Sequence, residues 1–182
     1  LAADSKSRHD RRHHNLVMLG LAKSGDLETL TKHLTNLVDD DNKVWGETRY
    51  CENNTVNMIL TMYKRRASQN GISVKISAKA SGSLAVPPQD LVVVIANLFE
   101  NAINEAANLK SKEGYKDIQI KDSPERLLIK IDNPCRANLT FDENLYGIGI
   151  RSVISTTSKY EGMYDFCAED GVFSAKIILN LK

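Results

Sequence analysis

Residues 92–106 read VVVIANLFENAINEA, and this stretch decides the fold. Apolar residues recur in it every three to four positions, which predicts a long helix with one buried stripe. Pro88 precedes the stretch at a position suited to the first turn of a helix. We expect the rest of the chain to be organised around this helix.

Three asparagines, Asn97, Asn101 and Asn104, share one face of the predicted helix beside the apolar stripe. A buried amide that has no partner costs about 1–3 kcal/mol. A single asparagine in this setting is usually a core amide with partners inside the protein. Three in register, with Glu100 and Glu105 between them, indicate an external polar ligand, because amides bind hard cations and both donate and accept hydrogen bonds.

A second stretch, residues 146–153, reads YGIGIRSV and places two glycines immediately before an apolar helix. Glycines at such a site let backbone N–H groups approach a phosphate at the positive end of the helix. A G-x-G pair alone more often marks a turn, so it becomes informative only together with the asparagine helix.

Taken together, N-L-F-E-N-A-I-N-E-A, then I-D-N-P and then Y-G-I-G-I resemble the N box, G1 region and G2 box of the Bergerat-fold (GHKL) ATPases. This group includes gyrase B, MutL and the sensor histidine kinases. The resemblance implies that ATP lies between the asparagine helix and the glycine loop, with Asn101 as a Mg²⁺ ligand and Asn97 near the triphosphate. The further nucleotide-binding residues that it implies are Glu100, Asn104, Gly147, Ile148 and Gly149.

Position 97 distinguishes two branches of this group. Gyrase-type ATPases carry a glutamate there, one turn before the metal-binding asparagine, and that glutamate activates water. Asn97 cannot act as a base. The resemblance therefore favours transfer of the phosphoryl group to another nucleophile, as in kinases, over hydrolysis.

The predicted adenine contact lies in the G1 region, which usually reads D-x-G-x-G and here reads IKIDNP, without either glycine. In the family the aspartate accepts a hydrogen bond from the adenine amino group. Ile129 and Ile131 are expected to face the core, so Asn133 shares their face and Asp132 does not. We predict adenine recognition by Asn133, with Asp132 as the alternative if a bulge at Pro134 shifts the phase. A remaining alternative is that Asn133 only caps the turn.

The start of the chain carries the histidine-rich run SRHDRRHHN. Such a run is commonly a solvated basic helix face. His9 and His13 could also bind a metal ion, but no carboxylate or cysteine cluster supplies the remaining ligands. R-H-D also resembles the H box of peptide-sensing receptor kinases of the Agr type. That resemblance implies that His9 is phosphorylated and that Asp10 is its acid–base partner. Many sensor kinases carry Thr or Asn where His13 stands, so phosphatase activity is left open.

The predicted elements divide the chain into two domains. Two helices joined by a turn at Gly25 and Asp26 form a hairpin with a leucine seam, which a lone hairpin cannot bury. We expect residues 1–48, hinge included, to dimerise as a four-helix bundle. Residues 49–182 predict an α+β sandwich with a mixed sheet and helices on one face, which would bind ATP under a lid at residues 134–146.

Composition narrows the classes of function. With 24 Lys and Arg against 23 Asp and Glu, the net charge is +1, so nucleic-acid binding through bulk charge is not predicted. No run resembles a membrane span, and three cysteines without C-x-x-C spacing indicate reduced thiols in a cytosolic setting. The chain does not begin with Met, so we expect a fragment of a longer protein. The resemblance to sensor kinases implies that the fragment is the cytoplasmic part of a membrane-anchored protein.

The sequence therefore predicts the cytoplasmic part of a bacterial two-component sensor histidine kinase. Such a homodimer uses ATP and Mg²⁺ to phosphorylate its own histidine and passes the phosphoryl group to an aspartate of a response regulator. One alternative is an ATPase of gyrase or MutL type, which Asn97 and the His-Asp hairpin disfavour. The other is a phosphotransfer or scaffold protein with a degenerate nucleotide site, which the missing G1 glycines leave open.

Overall fold

The structure, a computed structural model, describes four stretches of the chain, residues 14–37, 48–109, 116–135 and 147–181. The predicted phosphoacceptor His9, its partner Asp10 and the neighbouring His13 lie outside them. So do most of the predicted hinge and the predicted lid from residue 136 onward. None of the helices in the described stretches is long and apolar enough to cross a lipid bilayer.

The chain forms two compact units, Leu1–Gly46 and Glu47–Lys182. The described part of the first unit is a helical hairpin, in which helix α1 covers residues 14–24 and helix α2 covers Leu27–Leu37. Gly25 has a φ of 74°, a left-handed conformation that glycine adopts readily and that ends α1.

The start of α2 follows the predicted turn chemistry. Asp26 Oδ1 accepts a hydrogen bond from the Thr29 backbone N–H at 3.0 Å, which satisfies one of the N–H groups left without a partner at a helix N-terminus. The predicted turn at Gly25 and Asp26 is therefore confirmed.

The second unit is the predicted α+β sandwich. Its elements in chain order are α3 (Asn54–Gln69), β1 (Val74–Lys79), α4 (Pro88–Asn108), β2 (Lys116–Asp122), β3 (Arg126–Pro134), α5 (Ile148–Lys159), β4 (Met163–Glu169) and β5 (Val172–Asn180). The strands form one mixed sheet in the order β1-β2-β3-β5-β4. β1 and β2 pair in parallel, and the remaining pairs are antiparallel.

Strand β1 begins later than the alternation of its sequence predicts. Ile72 is buried and alternates in phase with the strand, but its backbone N–H donates to the Ala67 carbonyl at 2.9 Å. That bond completes the C-terminus of α3, so Ile72 is not part of the strand, and pairing with β2 begins at Val74.

The core lies between the helices and one face of the sheet. Buried and half-buried residues alternate along β3, and Leu127, Ile129 and Ile131 are buried. The apolar stripe of α4 is buried as predicted and includes Val94, Ile95, Leu98, Phe99 and Ala102. This packing fixes the rotation of α4 about its axis and hence the direction of its asparagines.

Strands β4 and β5 are joined by a two-residue turn at Asp170 and Gly171. Both residues have positive φ values, 51° and 75°, as the two central residues of a type I′ turn require. The twist of that turn matches the twist of two antiparallel strands, so this short sequence sets the β4–β5 register.

The three cysteines, Cys51, Cys135 and Cys167, are free thiols, as predicted. Cys135 follows β3 directly and is buried, and this burial raises the pKa of its thiol above the usual value. It acts as a core residue at the end of the strand.

Candidate functional site

The three asparagines of α4 differ in their surroundings. Asn97 and Asn101 are half-buried, whereas Asn104 is exposed. Because water can satisfy an exposed amide, the prediction of three buried amides was wrong for Asn104. Its proposed contact with a nucleotide stays a prediction, and the argument from burial applies to Asn97 and Asn101.

Asn97 lies against the start of α5. Its Nδ2 donates to the Val93 carbonyl at 2.7 Å, one turn back along α4. A Cβ atom placed on Gly149 would lie 2.9 Å from Asn97 Oδ1, closer than real Cβ contacts allow. Because the Asn97 amide is held by Val93, a side chain at position 149 would displace it. The structure thus brings the asparagine helix and the glycine loop together, as the sequence predicts.

The glycine loop forms the N-terminus of α5. Gly147 is the N-cap residue, and no side chain caps the helix there. Ile148 follows it in the first turn and is 87% exposed. The first N–H groups of any helix have no partner within the helix. Ile148 can therefore contribute to a phosphate site through its backbone, while its side chain points to solvent.

Asn133 lies on the helix side of β3, where the strand phase predicts it. It is 2% exposed and stands opposite Phe173 of β5. The register continues through Pro134 without a bulge. The assignment of adenine recognition to Asp132 depended on such a bulge, so that alternative is not supported. Asp132 lies on the other face of the sheet, where Lys130 Nζ donates to its Oδ2 at 2.7 Å.

The amide of Asn133 has one satisfied end and one unsatisfied end. Its Nδ2 donates to the Pro134 carbonyl at 2.9 Å, which fixes the orientation of the amide. Its Oδ1 is buried and accepts no hydrogen bond from any residue that the structure describes. Such an acceptor costs about 1–3 kcal/mol when it is left unpaired. This oxygen therefore fits a ligand that brings a buried N–H donor, such as an exocyclic amino group.

Asn101 is the described residue best suited to hold Mg²⁺. Its amide oxygen is a hard ligand, and it lies one turn beyond Asn97 on the same face of α4. Within the described stretches, no three His, Cys, Asp or Glu side chains are grouped so that they could hold a metal ion. Mg²⁺ commonly binds through few protein ligands together with substrate phosphates. The residues present therefore fit a metal that arrives with a triphosphate.

Glu100 is bound to α3. Its Oε1 accepts a hydrogen bond from Tyr63 Oη at 3.1 Å and forms an ion pair with Arg66. The Tyr63 ring stacks on Phe99 with centroids 5.0 Å apart. Burial, followed by the charge of Glu100, raises the pKa of Tyr63 to about 12. The predicted contact of Glu100 with a nucleotide stays a prediction, and in the structure the carboxylate has partners inside the protein.

A second polar cluster, which sequence reasoning missed, holds the end of α5 on the start of α4. Asp90 accepts hydrogen bonds from Lys159 Nζ at 3.1 Å and from Tyr160 Oη at 2.8 Å. The bond from Tyr160 lowers the pKa of Asp90, and burial together with Asp90 raises that of Tyr160 to about 12. Together with the contact between Asn97 and Gly149, this cluster fixes α5 at both ends against α4.

A family model described as a GHKL domain matches residues 86–180, more than half of the chain. The chain belongs to the GHKL family. The matched region contains α4, the whole antiparallel part of the sheet and α5, and therefore Asn97, Asn101, Asn133 and Gly149. No curated protein matches the chain significantly.

Several solved structures share the fold of this GHKL protein at low sequence identity. Acinetobacter baumannii histidine kinase AdeS is 16% identical, with a TM-score of 0.58 over 96% of this chain and 98% of that one. The histidine kinase domain of the Erythrobacter litoralis EL346 blue-light activated histidine kinase is 13% identical, with a TM-score of 0.58 over 78% and 69%. The catalytic domain of histidine kinase ThkA is 12% identical, with a TM-score of 0.57 over 71% and 92%. The α+β architecture is thus the one found in histidine kinase catalytic domains.

Proposed function

We propose that this GHKL protein is a sensor histidine kinase that transfers the γ-phosphoryl group of ATP to its own His9 and then to an aspartate of a response regulator. The observation that carries the proposal is the buried Oδ1 of Asn133. It lies in the region that matches the GHKL family, and it has no donor among the described residues, so it is available to the kind of N–H donor that adenine supplies. The fold shared with histidine kinases supports this choice within the family.

The residues of the second unit have distinct proposed roles in binding ATP. Asn133 Oδ1 accepts from the adenine 6-amino group, and backbone N–H groups of Gly147, Ile148 and Gly149 face the phosphates. Asn101 Oδ1 holds Mg²⁺, and Asn97 lies beside the triphosphate. When bound, Mg²⁺ neutralises charge that develops on the transferred phosphoryl group.

The residues of the first unit have the proposed role of receiving the phosphoryl group. A neutral imidazole nitrogen of His9 attacks the γ-phosphorus, and Asp10 sets the tautomer of the ring and accepts its proton. Asn97 has no proton-accepting group, so it cannot activate water in competition with His9. In this proposal residues 1–48 serve dimerisation and phosphotransfer, and residues 49–182 bind ATP.

Asn133→Ala is expected to weaken ATP binding by about 10- to 100-fold and to remove the preference for ATP over GTP. Guanine carries a carbonyl where adenine carries its amino group, so the wild-type oxygen would repel it. Stability without nucleotide should change little, because loss of the bond to Pro134 is offset by removal of a buried unpaired acceptor. Calorimetric titration of the wild-type chain and of the Asn133→Ala variant with ATP and with GTP measures these affinities.

Asp132→Ala is the matched control for Asn133→Ala, since the two positions are adjacent but lie on opposite faces of β3. It should leave the affinity for ATP within about 2-fold, well below the loss expected for a buried contact. Equal weakening in both variants, or an unchanged affinity in Asn133→Ala, would contradict the adenine assignment.

The hairpin leaves apolar side chains in solvent, which supports a homodimer. Leu27 is 66% exposed, and Leu16, Val17, Leu19 and Leu34 are also exposed. A second hairpin packed on the first would bury such side chains in a four-helix bundle.

We expect the 182-residue chain to sediment as a dimer at micromolar concentration and residues 49–182 to sediment as a monomer. Leu27→Lys should shift the chain towards monomer because a charge would enter the seam. Met62→Lys, at an exposed position on α3, should leave the dimer intact. A wild-type chain that is monomeric under these conditions would refute dimerisation through the hairpin.

A further inference from the structure

Glu100 borders the asparagine face of α4, while its carboxylate is bound to residues of α3. It comes three residues after Asn97 and four before Asn104. Residues at these separations are neighbours on a helix surface, with Cβ atoms about 5–6 Å apart. The side chain of Glu100 therefore begins beside the face that would hold Mg²⁺ and the triphosphate.

Two polar contacts, both to Oε1, hold the Glu100 carboxylate towards α3. Tyr63 Oη and Arg66 Nη1 both reach Oε1. The side chains of Glu100 and Arg66 are 34% and 48% exposed, so apolar packing does not enclose the carboxylate. The orientation of Glu100 thus depends on Tyr63 and Arg66.

We infer that Tyr63 and Arg66 hold the Glu100 carboxylate away from the asparagine face and thereby suppress hydrolysis of ATP by water. The inference rests on the ATP binding proposed above, and it replaces the predicted contact of Glu100 with a nucleotide. In a kinase that stores the phosphoryl group on its own histidine, a free carboxylate beside the γ-phosphate would be harmful. Holding that carboxylate on α3 keeps the phosphoryl group available for the histidine.

The suppressed reaction is a simple hydrolysis. A carboxylate released from α3 would take a proton from a water molecule while the water oxygen bonds to the γ-phosphorus. The bond between that phosphorus and the β–γ bridging oxygen breaks, and its electron pair leaves with ADP. The carboxylate then gives its proton to solvent, and the products are ADP and inorganic phosphate. A well-placed general base accelerates such steps by about 10²–10⁴-fold.

The double variant Tyr63→Phe/Arg66→Met tests the inference, because it removes both contacts to Glu100 while the ring at position 63 can still stack on Phe99. We expect its release of inorganic phosphate from ATP to rise about 10-fold, less than a fully placed base would give. Its affinity for ATP, measured by calorimetry, should stay within about 3-fold of wild type, since Tyr63 and Arg66 are not proposed to touch the nucleotide.

Two comparisons separate the role of Glu100 from a general loosening of the site. Adding Glu100→Gln to the double variant removes the proposed base and should return phosphate release to the wild-type rate. Lys64→Met removes a positive charge from the same helix at a residue that lies over the Tyr50 ring, 5.3 Å from its centroid. It should leave phosphate release unchanged.

Unchanged phosphate release in a double variant that binds ATP would overturn the inference, and so would a raised rate that survives Glu100→Gln. Neither result would affect the proposal of ATP binding. Failure of the wild-type chain to bind ATP in the same calorimetric experiment would overturn both. If thermal melting shows that the double variant does not fold, Tyr63→Phe alone removes one of the two contacts, and absence of any rise in that variant counts against the inference.

Discussion

Replacing His9 by glutamine is expected to abolish the transfer of label from γ-labelled ATP to the protein. A neutral imidazole nitrogen is a good nucleophile for a phosphoryl group, whereas the glutamine amide is not. ATP binding should remain at the wild-type level, because the proposed nucleotide contacts all come from residues 97–149. The measurement is incorporation of label, followed by acid treatment of the labelled wild type, since phosphohistidine is labile in acid.

The neighbouring histidines provide the controls for His9→Gln. His14 lies in α1, is exposed, and has its ring centroid 5.6 Å from that of His33. His14→Gln and His13→Gln should both retain the label. Label that persists in His9→Gln and disappears in one of these two variants would move the phosphoacceptor to that residue. A wild-type protein that binds ATP and takes up no label would instead support a scaffold with a nucleotide site.

Replacing Asn101 by alanine is expected to reduce the labelling of His9 by about 100-fold or more. The substitution removes the proposed Mg²⁺ ligand, and the metal neutralises charge on the phosphoryl group as it is transferred. The buried neighbours Leu98 and Ala102 are untouched. Stability without nucleotide should stay the same or rise slightly, because alanine is the better helix former.

A structural role for Asn101 makes the opposite forecast. Partners inside the protein would lose their hydrogen bonds in Asn101→Ala, at a cost of about 1–3 kcal/mol in the free energy of unfolding. Thermal melting without nucleotide, measured beside the labelling rate, separates the two roles. Asn104→Ala is a useful comparison, since that amide is exposed and its loss should reduce labelling less. A destabilised Asn101→Ala variant that is labelled normally would show that the amide is structural.

The helices and strands of the second unit could be predicted because the buried residues of each one recur at a regular interval within a short stretch of sequence. Alternation along β3 placed Ile129, Ile131 and Asn133 on one face, and the same rule put Asp132 on the other. The order of the strands could not be predicted in this way. β5 lies between β3 and β4, and that placement depends on pairing across long stretches of chain.

The candidate site divides between contacts that the family resemblance implied and contacts that it did not. The meeting of Asn97 with Gly149 was implied by the resemblance of their two motifs to the N box and the G2 box. The partners of Glu100 are 34 and 37 positions away, and those of Asp90 are 69 and 70 positions away. No periodic pattern in the sequence predicts such contacts. The exposure of Asn104 was missed for a related reason, since helical spacing gives the face of a residue but not what covers it.

Strand β1 joins the sheet by pairing in parallel with β2, and the chain between these two strands contains α4. Three residues link β2 to β3 and two link β4 to β5, so these hairpins can form from contacts that are close in sequence. β1 has no such route, because parallel strands need a long crossover connection, and here that connection contains α4. Closing this edge of the sheet therefore requires the chain to cross over through the segment that contains α4. The helix that carries the asparagines is thus also part of the connection on which the parallel pairing depends.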